Sequence, residues 1–256
     1  MPARTLLYNF VFYVVFAIMA LGLAPLLLLP QRHIWFIPRL WAGFSLWLHR
    51  LICGIGEEIS GLENIPEGGF LVACKHQSTW ETLRLVTLFE KPTFIFKRQL
   101  RWLPLFGWYL IKFGQIPVNR GQRSKGLQAM AEIAVERLAQ GHQVIIFPEG
   151  TRRRPLAEPK YKYGVTHLYD KLKTQCLPIA VNSGLFWPRR TFSHRPGVIA
   201  LKVLPPIAPG LDADTFQAEL QDAIESAVAK MNADAIRRFP AIADAMGQEQ
   251  AGLSLS

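Results

Sequence analysis

His76 and Glu81 stand five residues apart, just past the apolar run Phe70–Cys74. A carboxylate that holds one imidazole nitrogen leaves the other free to take a proton, which is general-base chemistry. The same carboxylate has a plainer reading. Ser78-Thr79-Trp80-Glu81 matches the S-x-x-E capping box, in which the glutamate serves only the start of a helix. His76 would then be a structural histidine, and the spacing leaves both readings open. A second cluster, Phe147-Pro148-Glu149-Gly150-Thr151-Arg152, directly follows the clearest predicted strand. Its glycine admits close backbone approach, Thr151 brings a hydroxyl, and Arg152 brings a planar fork suited to phosphate. Arg153, Arg154 and Lys160 follow, as they would in a solvated basic loop, but a glutamate at a strand end is foreign to a simple charge run. Upstream, Pro117-Val118-Asn119-Arg120-Gly121 ends another strand with an arginine. The six histidines show no HxxxH pair, and none is read as pairing with a cysteine at ligand spacing, so no metal site is expected. No nucleotide P-loop, GxGxxG or GxSxG occurs.

These residues need a scaffold that brings strand ends together. The apolar runs predict strands at Phe70–Cys74, Thr93–Phe96, Gln115–Val118, Val144–Phe147, Leu177–Val181 and Val198–Leu204. Helices are expected at Ser78–Glu90, Leu100–Phe113 (interrupted near Pro104 and Gly107), Ser124–Gln140 (capped by Ser124, stopped by Gly141), Tyr163–Lys173 and Asp214–Arg238. Strands alternating with helices imply an α/β fold with a mixed, largely parallel sheet covered by helices. In such sheets reacting groups gather at the carboxyl ends of the strands. His76 with Glu81, Arg120 and the Glu149–Arg152 block would then share one edge.

The chain has 256 residues and a formal net charge of +10; half of it is hydrophobic and only 19% is charged. That composition excludes disorder over most of the length. A multi-span transporter is excluded because one stretch alone has spanning length. A cationic surface favours anionic partners, such as lipid headgroups or phosphorylated small molecules. Nucleic acid would suit the charge but leaves the apolar N-terminus unexplained. The three cysteines, Cys53, Cys74 and Cys176, are read as reduced thiols serving as small apolar residues.

No charged side chain lies between Arg4 and Arg32. The centre of that gap, Phe10–Leu29, would cross about 30 Å as a helix. Pro25 would kink or end it, so a tilted or re-entrant insertion stays open. A cleavable signal fits poorly, because no small-residue cleavage site follows. From Ile34 to Cys53 an amphipathic helix is expected, with Ile37, Leu40, Trp41, Phe44, Trp47, Leu48 and Leu51 on one face and Arg39, His49 and Arg50 on the other. It would lie in the headgroup plane or pack on the protein's own core. Arg32, Arg39 and Arg50 follow the run while Arg4 alone precedes it, which places the remainder on the cytoplasmic side if the run spans. The expected division is a membrane-associated helical segment at 1–55, an α/β domain at 56–246 and a frayed tail at 247–256.

Taken in order, the motifs resemble those of the glycerolipid acyltransferase family. Its N-H-x-S-x-x-D block is similar to Lys75-His76-Gln77-Ser78-Thr79-Trp80-Glu81, with glutamate where aspartate is usual. Its G-x-I-x-I-x-R block is similar to Gly114–Arg120. F-P-E-G-T-R is complete at Phe147–Arg152, and a proline-centred strand matches Leu177-Pro178-Ile179-Ala180-Val181. The resemblance implies acyl transfer to the sn-2 hydroxyl of a lysophosphatidate, with His76 as base and Glu81 orienting it. It implies that Arg120, Glu149, Gly150, Thr151 and Arg152 hold the glycerol-phosphate, with Lys97 (and Arg98 beside it) near the phosphate. Backbone amides at the helix opening would stabilise the oxyanion. No cofactor is implied beyond an acyl-coenzyme A or acyl-acyl carrier protein co-substrate, and no nucleic acid; membrane phospholipids and the inner-membrane surface are the implied setting. The alternatives are another lysolipid acceptor such as lyso-ornithine lipid, a thioesterase, and a non-catalytic lipid-binding protein.

Overall fold

The computed structural model describes residues 2–119, 123–189, 191 and 193–244. At its centre is β2 (Phe70–Cys74), whose five side chains are all buried. Such a strand needs cover on both faces. Its parallel neighbours are β5 (Gln143–Ile146) on one side and β6 (Cys176–Val181) on the other. Beyond β5 lie β3 (Pro92–Lys97) and β4 (Ile116–Val118), again parallel. Beyond β6 lie β7 (Gly197–Val203), antiparallel to it, and then β1 (Ile55–Ser60), parallel to β7. The order is therefore β1-β7-β6-β2-β5-β3-β4. The mixed, largely parallel sheet is as expected.

The side-chain alternation of β2 sorts the core into two layers. Phe70, Val72 and Cys74 face a cluster with Tyr8 of α1 (Pro2–Gly22), Ala42 and Leu48 of α2 (Phe36–Cys53) and Trp80 and Leu83 of α3 (Trp80–Leu88). Leu71 and Ala73 face a second cluster with Met130 and Ala134 of α5 (Arg123–Ala139), Val165 and Leu168 of α6 (Tyr163–Leu172), and Phe216, Leu220 and Ile224 of α7 (Ala213–Arg238). α4 (Phe106–Lys112) flanks the edge near β4.

Several boundaries differ from expectation. β1 has no counterpart in the sequence reading, because this edge strand buries Ile55 alone and exposes Glu57 and Glu58, so no apolar run marks it. The Leu100–Phe113 segment is interrupted at Pro104 as expected, breaking over Leu103–Leu105, where Leu105 takes φ +62, but it is not interrupted at Gly107. Gly107 lies inside α4 for another reason: a Cβ there would come within 2.0 Å of the Arg101 carbonyl oxygen. α5 begins at Arg123, so Ser124 sits inside it instead of before it. The tail 247–256 and Arg120 lie outside the described residues.

At the N-terminus α1 starts earlier than the apolar centre Phe10–Leu29 suggested. It stops at Gly22, and Ala24–Leu28 continues as a 3-10 helix with Pro25 in its first turn. Ala3–Gly22 is long and apolar enough to cross a membrane, and little of it is buried. Thr5 and Tyr8 nonetheless pack into the body. α2 uses a different face from the one expected. It buries Ile37, Ala42, Ser45, Leu48, His49 and Cys53; Ala42, Leu48 and Cys53 join the cluster that faces β2 and α3, and Ile37 packs with Ile34 and Phe113. Leu40, Phe44, Trp47 and Leu51 point outward. His49, expected among the polar residues, is wholly buried.

Candidate active site

Five consecutive strands of the sheet, β6-β2-β5-β3-β4, run parallel, so their carboxyl ends share one edge. That edge collects Ser183 after β6, His76 after β2, the Phe147–Arg152 loop after β5 and Lys97 at the end of β3.

His76 Nδ1 lies 2.8 Å from Glu81 Oε1. With the proton on Nδ1, the imidazole donates to the carboxylate and keeps Nε2 for a substrate. The ring stacks on Phe147, with centroids 3.8 Å apart and planes 14° apart, so two adjacent strand ends fix its orientation. Glu81 is completely buried. Its Oε1 also accepts from the backbone N–H groups of Gln77 (2.7 Å) and Ser78 (2.8 Å). Its Oε2 accepts from the hydroxyls of Ser78 (2.9 Å) and Ser183 (2.7 Å). Burial alone would push this carboxyl up; the bond and charge of His76, then Ser183 and the Ser78 amide, outweigh it and hold the group below the ordinary range. The dyad and the helix-start reading are thus both true of one carboxylate.

That double role narrows one expectation, the backbone amides at the helix opening as oxyanion donors. The amides of Gln77 and Ser78 are taken by Glu81, and that of Trp80 by Ser78 Oγ at 2.9 Å. These amides at the opening of α3 are therefore not free to receive an oxyanion.

The loop after β5 separates its residues. Gly150 takes φ +66, and a Cβ there would sit 3.2 Å from Lys162, so glycine suits both the turn and the contact. Thr151 is exposed. Glu149 turns inward: its side chain has no exposed surface, and Oε1 accepts from Lys75 Nζ at 3.2 Å. Lys75 also reaches Glu225 Oε1 on α7 at 2.7 Å, and Tyr161 donates to the same oxygen at 2.9 Å. Burial pushes the Glu149 carboxyl up and Lys75 draws it back, with the net direction upward. A carboxylate so held supports the loop and does not point at an anionic ligand.

His76 opens into a cavity of about 910 Å³. Its walls are mainly apolar, built from α1, α2, α4 and the edge strands. Among the described residues its charged lining is purely cationic: Lys97, Arg152 and Lys162, with no aspartate or glutamate. Lys162 and Ser183 escaped the sequence reading; the first sits in a run of basic residues without a motif, and the second lies two residues past β6. The cysteines are free and buried. Burial, then the nearby Glu81 charge, keeps the Cys74 thiol protonated far above its usual range. Elsewhere, His49 and Cys53 lie four residues apart on α2, a ligand spacing the sequence reading passed over, and the fold brings His194 to them.

Comparison with known proteins agrees with this architecture. The acyltransferase family model matches residues 57–182, which hold the dyad, the loop after β5 and β6. A 1-acyl-sn-glycerol-3-phosphate acyltransferase of Pseudomonas aeruginosa is 36% identical over 212 residues, covering 83% of this chain and 82% of that protein. The mouse 1-acyl-sn-glycerol-3-phosphate acyltransferase alpha is 28% identical over 179 residues, or 68% of this chain and 63% of that protein. The crystal structure of the 1-acyl-sn-glycerophosphate acyltransferase PlsC from Thermotoga maritima superposes with a TM-score of 0.76 at 21% identity, covering 91% of this chain and 98% of that one; the likeness is one of fold. The 36% identity extends over most of both chains, and the matched segment contains the residues that build the edge, so this chain belongs to the acyltransferase family.

Proposed function

We propose that this protein moves a fatty acyl group from a thioester donor to the free sn-2 hydroxyl of 1-acyl-sn-glycerol-3-phosphate, giving phosphatidic acid. The observation that carries this reading is the His76–Glu81 dyad opening on an apolar cavity whose charged lining, among the described residues, is cationic. The apolar walls suit acyl chains, and Lys97, Arg152 and Lys162 suit a phosphate monoester. Arg120 joins them by motif alone.

His76 Nε2 takes the hydroxyl proton as the oxygen attacks the thioester carbonyl. Glu81 stabilises the imidazolium that forms. The tetrahedral intermediate then expels the thiolate, which recovers the proton from His76. Acyl transfer is direct in this reading; the three cysteines are buried and none lines the cavity. The donor is an acyl-coenzyme A or an acyl-acyl carrier protein; both are anionic thioesters that suit a chain of net charge +10.

The working surface is a membrane. Leu6, Phe10, Tyr13, Ile18 and Leu21 of α1, the outward row of α2, and Trp102, Trp108 and Ile111 are all exposed apolar groups. With Arg32, Arg39 and Arg50 following the apolar run, we place the site on the cytoplasmic side of the inner membrane.

The test incubates detergent-purified protein with lysophosphatidate and each thioester and identifies products by mass. Phosphatidic acid is the expected product, reduced at least ~10²-fold in a folded His76→Ala variant. Free fatty acid alone, or unchanged turnover in that variant, would overturn the reading.

A further inference from the structure

His49 and Cys53 share one face of α2 because they lie four residues apart. The segment leading into β7 brings His194 against that face. His49 Nε2 is 3.1 Å from His194 Nδ1, Cys53 Sγ is 3.4 Å from the same nitrogen, and all three donor atoms lie within 4.8 Å of one another. The residues are 0%, 3% and 3% exposed. Hydrogen bonding alone accounts poorly for the cluster. His194 Nδ1 has one proton or one lone pair to offer, yet faces two groups.

We propose that His49, Cys53 and His194 form a site for one borderline transition-metal cation, Zn²⁺ by the chemistry of its donors. Bonds of about 2.0–2.1 Å to nitrogen and 2.3 Å to sulfur in a tetrahedral site set N···N near about 3.3 Å and N···S near about 3.6 Å. The two observed edges approach those separations before any ion enters. Burial holds His49, which has His194 as a neighbour, down to about 3, and holds His194 down to about 4, so both imidazoles present neutral, ligand-ready nitrogens. Burial pushes the Cys53 thiol up to about 11, opposed by Arg4. Binding therefore displaces a proton: the S–H bond breaks, an S–metal bond forms, and H⁺ leaves to solvent. The two imidazoles donate lone pairs and keep their protons on the opposite nitrogens. No oxidation state changes, and water can fill the fourth position.

The site lies apart from His76 and would act as a clamp. The backbone N–H of His194 already donates to Thr5 Oγ1 of α1 at 3.1 Å. The Tyr8 ring of α1 sits 4.8 Å from His49 and 5.4 Å from His194, centroid to centroid. A metal here would tie α2 to the approach to β7, which Thr5 and Tyr8 of α1 already contact, and so secure the helices that wall the acyl cavity.

The experiment uses the full chain in detergent, stripped with a chelator and titrated with Zn²⁺ alone, then with Co²⁺ as a spectroscopic probe. One equivalent of Zn²⁺ should raise Tm by several degrees. Co²⁺ should give a thiolate charge-transfer band and tetrahedral d–d bands. Cys53→Ser should remove the charge-transfer band, and His194→Gln should weaken Zn²⁺ binding by at least about tenfold, since loss of a supporting contact alone costs that much. His33→Gln, on an exposed histidine, should change nothing. Absence of a thiolate band in the folded wild-type chain would overturn the proposal whatever the variants do. So would Zn²⁺ binding of the same stoichiometry and strength in the folded Cys53→Ser/His194→Gln double variant, which would mark adventitious surface binding.

Discussion

Ser183 Oγ donates to Glu81 Oε2 at 2.7 Å across 102 residues of chain, and it thereby closes the shell of the carboxylate that orients His76. The other donors to Glu81 are local, so this hydroxyl is the contact that ties the dyad to β6. A hydrogen bond to a charged group is worth roughly 1.5–3 kcal/mol. Ser183→Ala should lower kcat about tenfold with KM for both substrates little changed, and should lower Tm. Equal losses in kcat and KM would show a site deformed instead of a carboxylate loosened.

The pair of Lys75 with Glu149 and Glu225 predicts a stability effect. Removing one partner of a buried ion pair typically costs about 3–5 kcal/mol, because the charge left behind is uncompensated. Lys75→Met should therefore destabilise strongly in thermal or urea unfolding. Glu149→Gln in the same chain should recover part of the loss. No recovery in the double variant would mean that Lys75 matters through packing alone.

Acceptor recognition should separate from chemistry at the cations. Arg152→Ala and Lys97→Ala should each raise KM for lysophosphatidate about tenfold to a hundredfold and leave KM for the thioester nearly unchanged. Arg152→Lys should restore part of the affinity, since it keeps charge but loses the planar fork. A lysolipid without the phosphate monoester should be indifferent to these changes.

His142 predicts a pH dependence of stability. Burial, assisted by Arg137 and Lys91, pushes its pKa from 6.5 down to about 4, and its Nδ1 lies 2.7 Å from Thr93 Oγ1. Between those values the unfolded chain holds a proton that the folded chain refuses, so stability falls as pH drops from 6.5 toward 4. His142→Gln should reduce the slope there without abolishing it, because His49 and His194 are depressed over the same window, and should leave stability at pH 8 nearly unchanged or modestly lower. An unaltered slope in denaturant titrations across this window would refute the assignment.

Membrane attachment should depend on the outward row of α2. Trp47 and Leu51 are 55% and 64% exposed, so Trp47→Glu and Leu51→Glu should leave Tm unchanged. Burying one such side chain in lipid is worth about 1.5–3 kcal/mol, so each change should weaken sedimentation with anionic vesicles about tenfold or more. Unchanged sedimentation would move the contact to α1 and to Trp102, Trp108 and Ile111.

Local pattern determined much of this protein. β2, β5 and β6 were legible because strands buried on both faces are uninterrupted apolar runs. His76 and Glu81 were legible because five residues suffice to place a loop imidazole against a first-turn carboxylate. Strand alternation, with the rule that parallel strands share their carboxyl ends, placed the two motifs on one edge. Only the tertiary structure decided the rest. β1 is a charged edge strand that exists because β7 pairs with it. Glu149 looked like a ligand of the acceptor, but the buried Lys75 of the first motif turned it inward. α2 carries apolar groups on more than one side, so its periodicity could not say which face meets lipid; Tyr8, Trp187 and His194, arriving from distant parts of the chain, drew His49 and Cys53 inward and left Leu40, Phe44, Trp47 and Leu51 outside. Each of these outcomes depends on pairing between residues far apart in the chain. A window of ten residues carries the period of its own burial, and it carries nothing about the identity of the surface that will do the burying.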